Sequence, residues 1–173
     1  MDIIYLFTQI TGILGIGVFM TCFHFKNMKN VLSVKLATDV IWATHYLLLA
    51  AYAGFFTNVI CIFRELIFMD NDKNIFKSKI WLAVFVIANI TAGILSWQGF
   101  YSIIPELVSS MATFSFWQKN VNTARKIAAV NNILMFIYDV FVLSYAGMVA
   151  ETLAFVSVLI ALIKNKSSKS TAC

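Results

Sequence analysis

The chain has 173 residues, of which 61% are hydrophobic, 12% are charged and only one is proline. That composition describes a multispan membrane protein and excludes a sizeable soluble domain appended to it. The net charge of +5 is no sign of nucleic-acid binding, because the basic residues sit in short segments between apolar runs, where they act as topological signals.

Apolar runs between charged or turn-like breaks predict seven spans, at 3–23, 34–53, 55–69, 80–97, 103–117, 127–145 and 147–163. The first lacks a basic leading segment and is long enough to span, so it reads as a retained helix and not as a secretory signal. Its Gly12, Gly15 and Gly17 would let it approach a neighbour closely. Span two carries Lys35, Asp39, Trp42 and Tyr46 as one helical stripe. Asp39 and Lys35, four residues apart near the cytoplasmic end, are spaced for a salt bridge. Trp42 lies two turns inside, where an aromatic side chain is placed to wall a solute site. His45 stands beside the stripe, and an imidazole changes charge near neutral pH, which makes it a candidate proton switch. Tyr52-Ala53-Gly54 then reads as a tight reversal, with Gly54 supplying backbone freedom.

Span three brings Asn58, and Arg64 where it nears the cytoplasmic side; span four brings Asn89. Span five holds Pro105 and then Glu106, Ser109, Ser110, Thr113 and Trp117 at helical spacing. Span six carries Asn132 and Asp139, and Tyr145-Ala146-Gly147 repeats the tight reversal before Glu151 in span seven. Carboxylates within spans are functional candidates because lipid tolerates so few of them. Asp139 is the deepest, roughly 9 Å from the outer surface at the helical rise. A lone ionised carboxylate there costs about 2.5 to 3.5 kcal/mol, so it is protonated, paired or lining water.

With seven spans, all thirteen Lys and Arg fall on one side. Lys26, Lys29, Lys73, Lys77, Lys79, Lys119, Arg125, Lys126, Lys164, Lys166 and Lys169 lie in its loops and tail, and Lys35 and Arg64 where spans two and three reach it. Positive residues stay cytoplasmic, so the N-terminus is expected outside and the C-terminus inside. The basic tail suits anionic lipid headgroups. Trp81, Trp97 and Trp117 sit at span ends as interface anchors.

The chain also matches itself at a single shift of 93 residues. Lys26-Asn27 falls on Lys119-Asn120, and Tyr52-Ala53-Gly54 on Tyr145-Ala146-Gly147, with no gap between them. The shift pairs spans one to three with five to seven and leaves the fourth unpaired. A three-helix unit can be repeated in the same orientation only if a single span intervenes. The expected fold is thus an all-α integral membrane bundle of two parallel three-helix repeats joined by a linker helix. Residues 1–69 form the first repeat, 70–99 a cytoplasmic loop plus the linker, 100–163 the second repeat and 164–173 a basic cytoplasmic tail. Parallel repeats of this kind place substrate sites between the halves near mid-membrane.

This 3+1+3 pattern resembles the SWEET, PQ-loop and KDEL-receptor superfamily. More locally, the segments Tyr46–Gly54, Asn58–Arg64, Trp97–Gly99, Ile103–Pro105 and Ser144–Glu151 resemble the YgjV-type bacterial inner-membrane proteins. The repeated Pro-Gln hinge of the PQ-loop transporters is missing, since Pro105 is followed by Glu106 and is matched at the shift by Gly12. A mechanism of symmetric proline hinges is therefore not implied.

No Ser/His/Asp set or metal-ligand spacing is present, and Cys22, Cys61 and Cys173 are dispersed, so no enzyme, metal or cofactor is expected. No nucleotide-binding motif is present either. The expected function is a secondary carrier or facilitator of a small polar solute. Trp42, Tyr46, Asn58, Glu106, Asn132, Asp139 and Glu151 are the candidate solute-binding residues, and Asp139, Glu151 and His45 the candidates for proton coupling. A carboxylate-rich outer half favours a cationic or amine-bearing solute. The alternative from another class is a membrane receptor or immunity-type protein that binds a peptide or protein partner and moves nothing, since the same architecture serves both. The bilayer is the one certain partner; the chain holds both halves of a site, so a monomer suffices, although a homo-oligomer is compatible.

Overall fold

The structure, a computed structural model, describes residues 3–21, 28–69, 80–118 and 121–170. Much of the expected cytoplasmic charge lies outside the described residues, including Lys26, Lys73, Lys77, Lys79 and Lys119, as do Cys22 and Cys173. Among the described residues there are seven α-helices and no strand: α1 (Ile3–Thr21), α2 (Met28–Leu48), α3 (Tyr52–Met69), α4 (Ile80–Leu95), α5 (Ile103–Gln118), α6 (Val121–Phe141) and α7 (Tyr145–Ser170). A single 3₁₀ turn, Phe100–Ser102, leads into α5.

The helices correspond one to one with the seven apolar runs, but their ends differ. Helix α2 begins at Met28 and α6 at Val121, several residues before the apolar runs, and α7 continues to Ser170 through the basic segment. Hydropathy marks where a chain meets lipid, whereas the backbone ladder extends into the polar interface. Helix α7 holds a 19-residue stretch, Tyr145–Ile163, long and apolar enough to cross a membrane, and α1 and α4 carry shorter apolar stretches.

Packing runs in a closed circuit: α1 on α2, α2 on α3, α3 on α5, α5 on α6, α6 on α7 and α7 back on α1, with α4 seated against α3 and α5. The distribution of side chains is inverted relative to a water-soluble bundle. Among the described residues seventeen polar or charged side chains are buried against nine hydrophobic ones, four of the latter from the cluster Tyr46, Ala51, Ala53 and Tyr138. Large apolar side chains such as Ile13, Phe63, Ile87, Ile94 and Ile163 face outward. Lipid removes the drive to bury apolar groups and makes polar contacts between helices the adhesive, which is the pattern seen.

The two reversals correct the sequence reading. Tyr52-Ala53-Gly54 and Tyr145-Ala146-Gly147 are not loops; they form the first turns of α3 and α7. The chain reverses a few residues earlier, through Ala50 (φ 54°) and Leu143 (φ 55°) in the left-handed region. At the first corner the Ala51 amide donates to the Tyr46 carbonyl at 2.9 Å and the Ala50 amide to Leu47 at 3.0 Å. At the second, the Ser144 amide donates to Asp139 at 2.9 Å and the Leu143 amide to Val140 at 3.4 Å. This is the six-to-one and five-to-two pattern that closes a helix through a left-handed residue. Each residue of one corner lies 93 positions from its counterpart in the other. Gly54 and Gly147 serve close approach instead: a Cβ on Gly54 would stand 2.8 Å from Tyr46 Cγ, and one on Gly147 would collide with the Asp139 carboxyl. On α1, Gly12 lies against Ala146 and His45 and Gly15 against Trp42, whereas a Cβ on Gly17 would meet nothing, so Gly17 is not a contact glycine.

Candidate functional site

The candidate residues separate into groups at different depths. At the corner end, α2 and α6 interlock. The Tyr46 hydroxyl donates to Asp139 Oδ1 at 2.8 Å, joining two residues that stand 93 apart in the chain. Their neighbours do the same work across the opposite diagonal. His45 places Nδ1 2.8 Å from the Thr8 carbonyl and Nε2 2.8 Å from the Ser144 hydroxyl. A carbonyl only accepts, so Nδ1 carries the proton and Nε2 receives that of Ser144. Ser144 Oγ in turn accepts from the Gly147 amide at 3.1 Å, capping the start of α7. In the other half the Tyr138 hydroxyl, 93 positions from His45, accepts from the Gly54 amide at 2.9 Å in the first turn of α3. Trp42 packs edge-on against His45 at 5.1 Å and leans on Tyr46, so it belongs to this plug.

The corners are also bound from outside. Gln98 donates to the Ala50 carbonyl at 2.8 Å and accepts from the Tyr52 amide at 3.0 Å. Gln9 accepts from the Ala146 amide at 3.2 Å, and the Tyr5 hydroxyl donates to the Leu143 carbonyl at 3.1 Å. The carbonyls of both left-handed residues are thus bonded by side chains from α1 and from the segment before α5.

Deeper along α6 and α7, Asn132 and Glu151 meet. With its amide oriented to satisfy its neighbours, Asn132 donates to the Ala128 carbonyl at 3.1 Å and to Glu151 Oε2 at 3.2 Å, and accepts from the Phe155 amide at 3.0 Å. The two line a cavity of about 230 Å³ together with Ile133, Phe136, Thr152 and Phe155. Among the described residues Glu151 is its one ionisable wall residue. Asn58, which the sequence shift pairs with Glu151, bonds back to the Gly54 carbonyl of its own helix at 2.8 Å and lies outside this cavity. Glu106 is elsewhere again, buried against Gly93 of α4.

A fourth group was not among the candidates. Arg64 and Glu65 of α3 are both buried, and Lys35 forms ion pairs with Asp39 at 3.2 Å and with Glu65, while Arg64 lies 3.7 Å from Glu65. Arg64 also donates to the Thr113 hydroxyl at 3.2 Å. The expected Lys35–Asp39 bridge is present, but as one edge of a four-residue cluster joining α2 to α3. The signal that could have revealed it is the presence of a cation and a carboxylate at similar depth on two consecutive helices.

Residues 6–169 match the model of a family described as bacterial inner membrane protein, Imp-YgjV. The chain belongs to the Imp-YgjV family. It is therefore an inner-membrane protein, in keeping with the polar interior and apolar exterior of its bundle. No curated protein and no solved structure matches it. For this Imp-YgjV protein the chemistry must come from its own geometry. Among the described residues no three His, Cys, Asp or Glu side chains converge to hold a metal.

Proposed function

We propose that this Imp-YgjV protein is a seven-span secondary carrier for a small polar solute bearing a protonated amine, with its N-terminus outside and its C-terminus cytoplasmic. Helices α1–α3 and α5–α7 act as two parallel repeats joined by α4, an arrangement similar to that of SWEET-type carriers. The observation that carries this reading is the cavity between α6 and α7, in which one carboxylate and one amide face two phenylalanines. A pocket that buries apolar surface and offers a few convergent polar groups suits a small organic ligand. A single Glu151 carboxylate selects for one positive charge, and Phe136 and Phe155 supply faces for its apolar body or its cation.

The matching corners support the two-repeat reading, because the same hydrogen bonds recur 93 residues apart. In the proposed cycle the Tyr46–Asp139 and His45–Ser144 bonds close the corner end, and the cavity is reached from the cytoplasmic side while they hold. Alternating access then consists of breaking that interlock as the repeats rock.

A thermal-unfolding screen of the detergent-purified protein against polyamines, amino acids, sugars, vitamins and nucleosides tests this. An amine at 100 times its dissociation constant stabilises by about 2.7 kcal/mol. The stabilisation should vanish in Glu151→Gln and be followed by uptake of the same amine into proteoliposomes. A neutral sugar binding equally to parent and Glu151→Gln would sink the charge preference. Binding of an amine without flux in either direction would favour a receptor.

A further inference from the structure

The junction of α3, α4 and α5 holds three buried oxygen-bearing side chains that have more acceptors than donors among them. Glu106 is 7% exposed, Thr57 6% and Asn89 0%. Among the described residues the Thr57 hydroxyl is the one donor facing the Glu106 carboxyl, which leaves at least one Glu106 oxygen and Asn89 Oδ1 without a hydrogen-bond partner. Thr57 stands directly beside the Glu106 carboxyl. Gly93 leaves the space on the opposite side, since a Cβ there would lie 3.0 Å from Glu106 Cγ. Asn89 is one turn from Gly93 on the same face of α4, and its nitrogen is committed to Ser110 Oγ at 3.3 Å, one turn below Glu106 on α5. The under-satisfied atoms are therefore all oxygens, and the nearby amide donor is spent.

From these positions the geometry points to a binding site for a small monovalent cation, with sodium the fitting ion, formed by Glu106, Thr57 and Asn89. Carboxylate, hydroxyl and amide oxygens are the ligands that hard cations take, with water completing the shell. The charge balance selects a monovalent ion: one carboxylate neutralises one positive charge, whereas a divalent ion would leave a net charge buried in the bundle. Among the described residues no ion pair joins a basic side chain to Glu106. Arg64, two turns along α3 from Thr57, is committed to Ser109, Thr113 and Glu65, and the described parts of α4 and α5 carry no Lys or Arg. The site gives α4 a chemical role and does not depend on the α6–α7 cavity or on transport.

The test is thermal unfolding of the purified full chain as sodium chloride replaces choline chloride at fixed ionic strength, with potassium chloride in parallel. Sodium should raise the midpoint saturably, by about 3 °C or more, and more than potassium at equal concentration. Glu106→Gln, which keeps the shape and supplies its own donors, should unfold at a sodium-independent midpoint. Thr57→Val, which removes one ligand oxygen with little change in volume, should raise the half-saturating sodium concentration at least about threefold. If Glu106→Gln does not fold, Thr57→Val and Asn89→Leu carry the test. Identical midpoints in sodium, potassium and choline would overturn the site and leave Glu106 holding only its own proton. A sodium shift that persists undiminished in the variants would overturn it as well.

Discussion

At the scale of single residues, the corners separate two uses of small side chains. Gly54 and Gly147 are helical and packed, while Ala50 and Leu143 hold the left-handed conformation that glycine adopts more cheaply. Gly147→Ala should destabilise the protein by about 1–3 kcal/mol, because its methyl would overlap the Asp139 carboxyl; Gly54→Ala should do the same against Tyr46. Gly17→Ala meets open space and should be neutral or stabilise the helix by up to about 1 kcal/mol. Ala50→Gly relieves the strained φ and should stabilise the protein by up to about 1 kcal/mol. Thermal melts of the four variants in one detergent decide the assignment, and a Gly147→Ala protein as stable as the parent would contradict the packing at Asp139. The Tyr-Ala-Gly repeats were legible as a pair of equivalent positions. What they did there was not, because glycine signals both a turn and a close approach, and only the fold distinguishes the two.

At the scale of helices, α2 and α3 are tied by the Lys35, Asp39, Arg64 and Glu65 cluster. Lys35 is the hub, since it contacts both carboxylates. Lys35→Met should cost about 3 kcal/mol, near the low end for breaking a buried pair because Lys35 keeps some exposure. Adding Glu65→Gln should recover a good part of that loss by removing the carboxylate left unpaired. A double-mutant cycle measured by unfolding reads the coupling, and strict additivity would show that the two residues do not act on each other. The seven helices were legible because apolar runs alternate with charged or turn-like breaks along the chain, although among the described residues only α7 holds a stretch long and apolar enough to cross a membrane. The inward charges were harder: Asp39, Glu106 and Asp139 stood out against apolar neighbours, whereas Arg64 lies near a span end and reads as reaching the surface, and Glu65 beside it carries no signal of its own. Sequence fixes a residue's depth along a helix, but not which face of that helix meets a neighbour. For the same reason Asn58, although equivalent to Glu151 in the repeat, lies outside the α6–α7 cavity.

For the whole molecule, the decisive feature is that the bundle is fastened at one end by hydrogen bonds that cross between its halves. Tyr46 meets Asp139, His45 meets Ser144, and Tyr138 meets Gly54, all buried behind an aromatic plug. Each such bond contributes about 0.5–1.5 kcal/mol net, so in the proposed carrier cycle they would together hold a modest free-energy difference between closed and open corner ends, of the size a ligand can reverse. Loss of the Tyr46–Asp139 bond alone removes up to about 1.4 kcal/mol and should raise the open population as much as tenfold. Thr152 lines the cavity and is a suitable reporter once Cys22, Cys61 and Cys173 are replaced. In the Thr152→Cys protein, a membrane-impermeant maleimide should label everted vesicles readily and intact spheroplasts slowly. Adding Tyr46→Phe should accelerate labelling in spheroplasts severalfold and leave everted vesicles little changed. A carrier requires that second route to exist; labelling confined to one side, whatever is done to Tyr46, would mean that the corner end never opens and that the cavity serves a receptor.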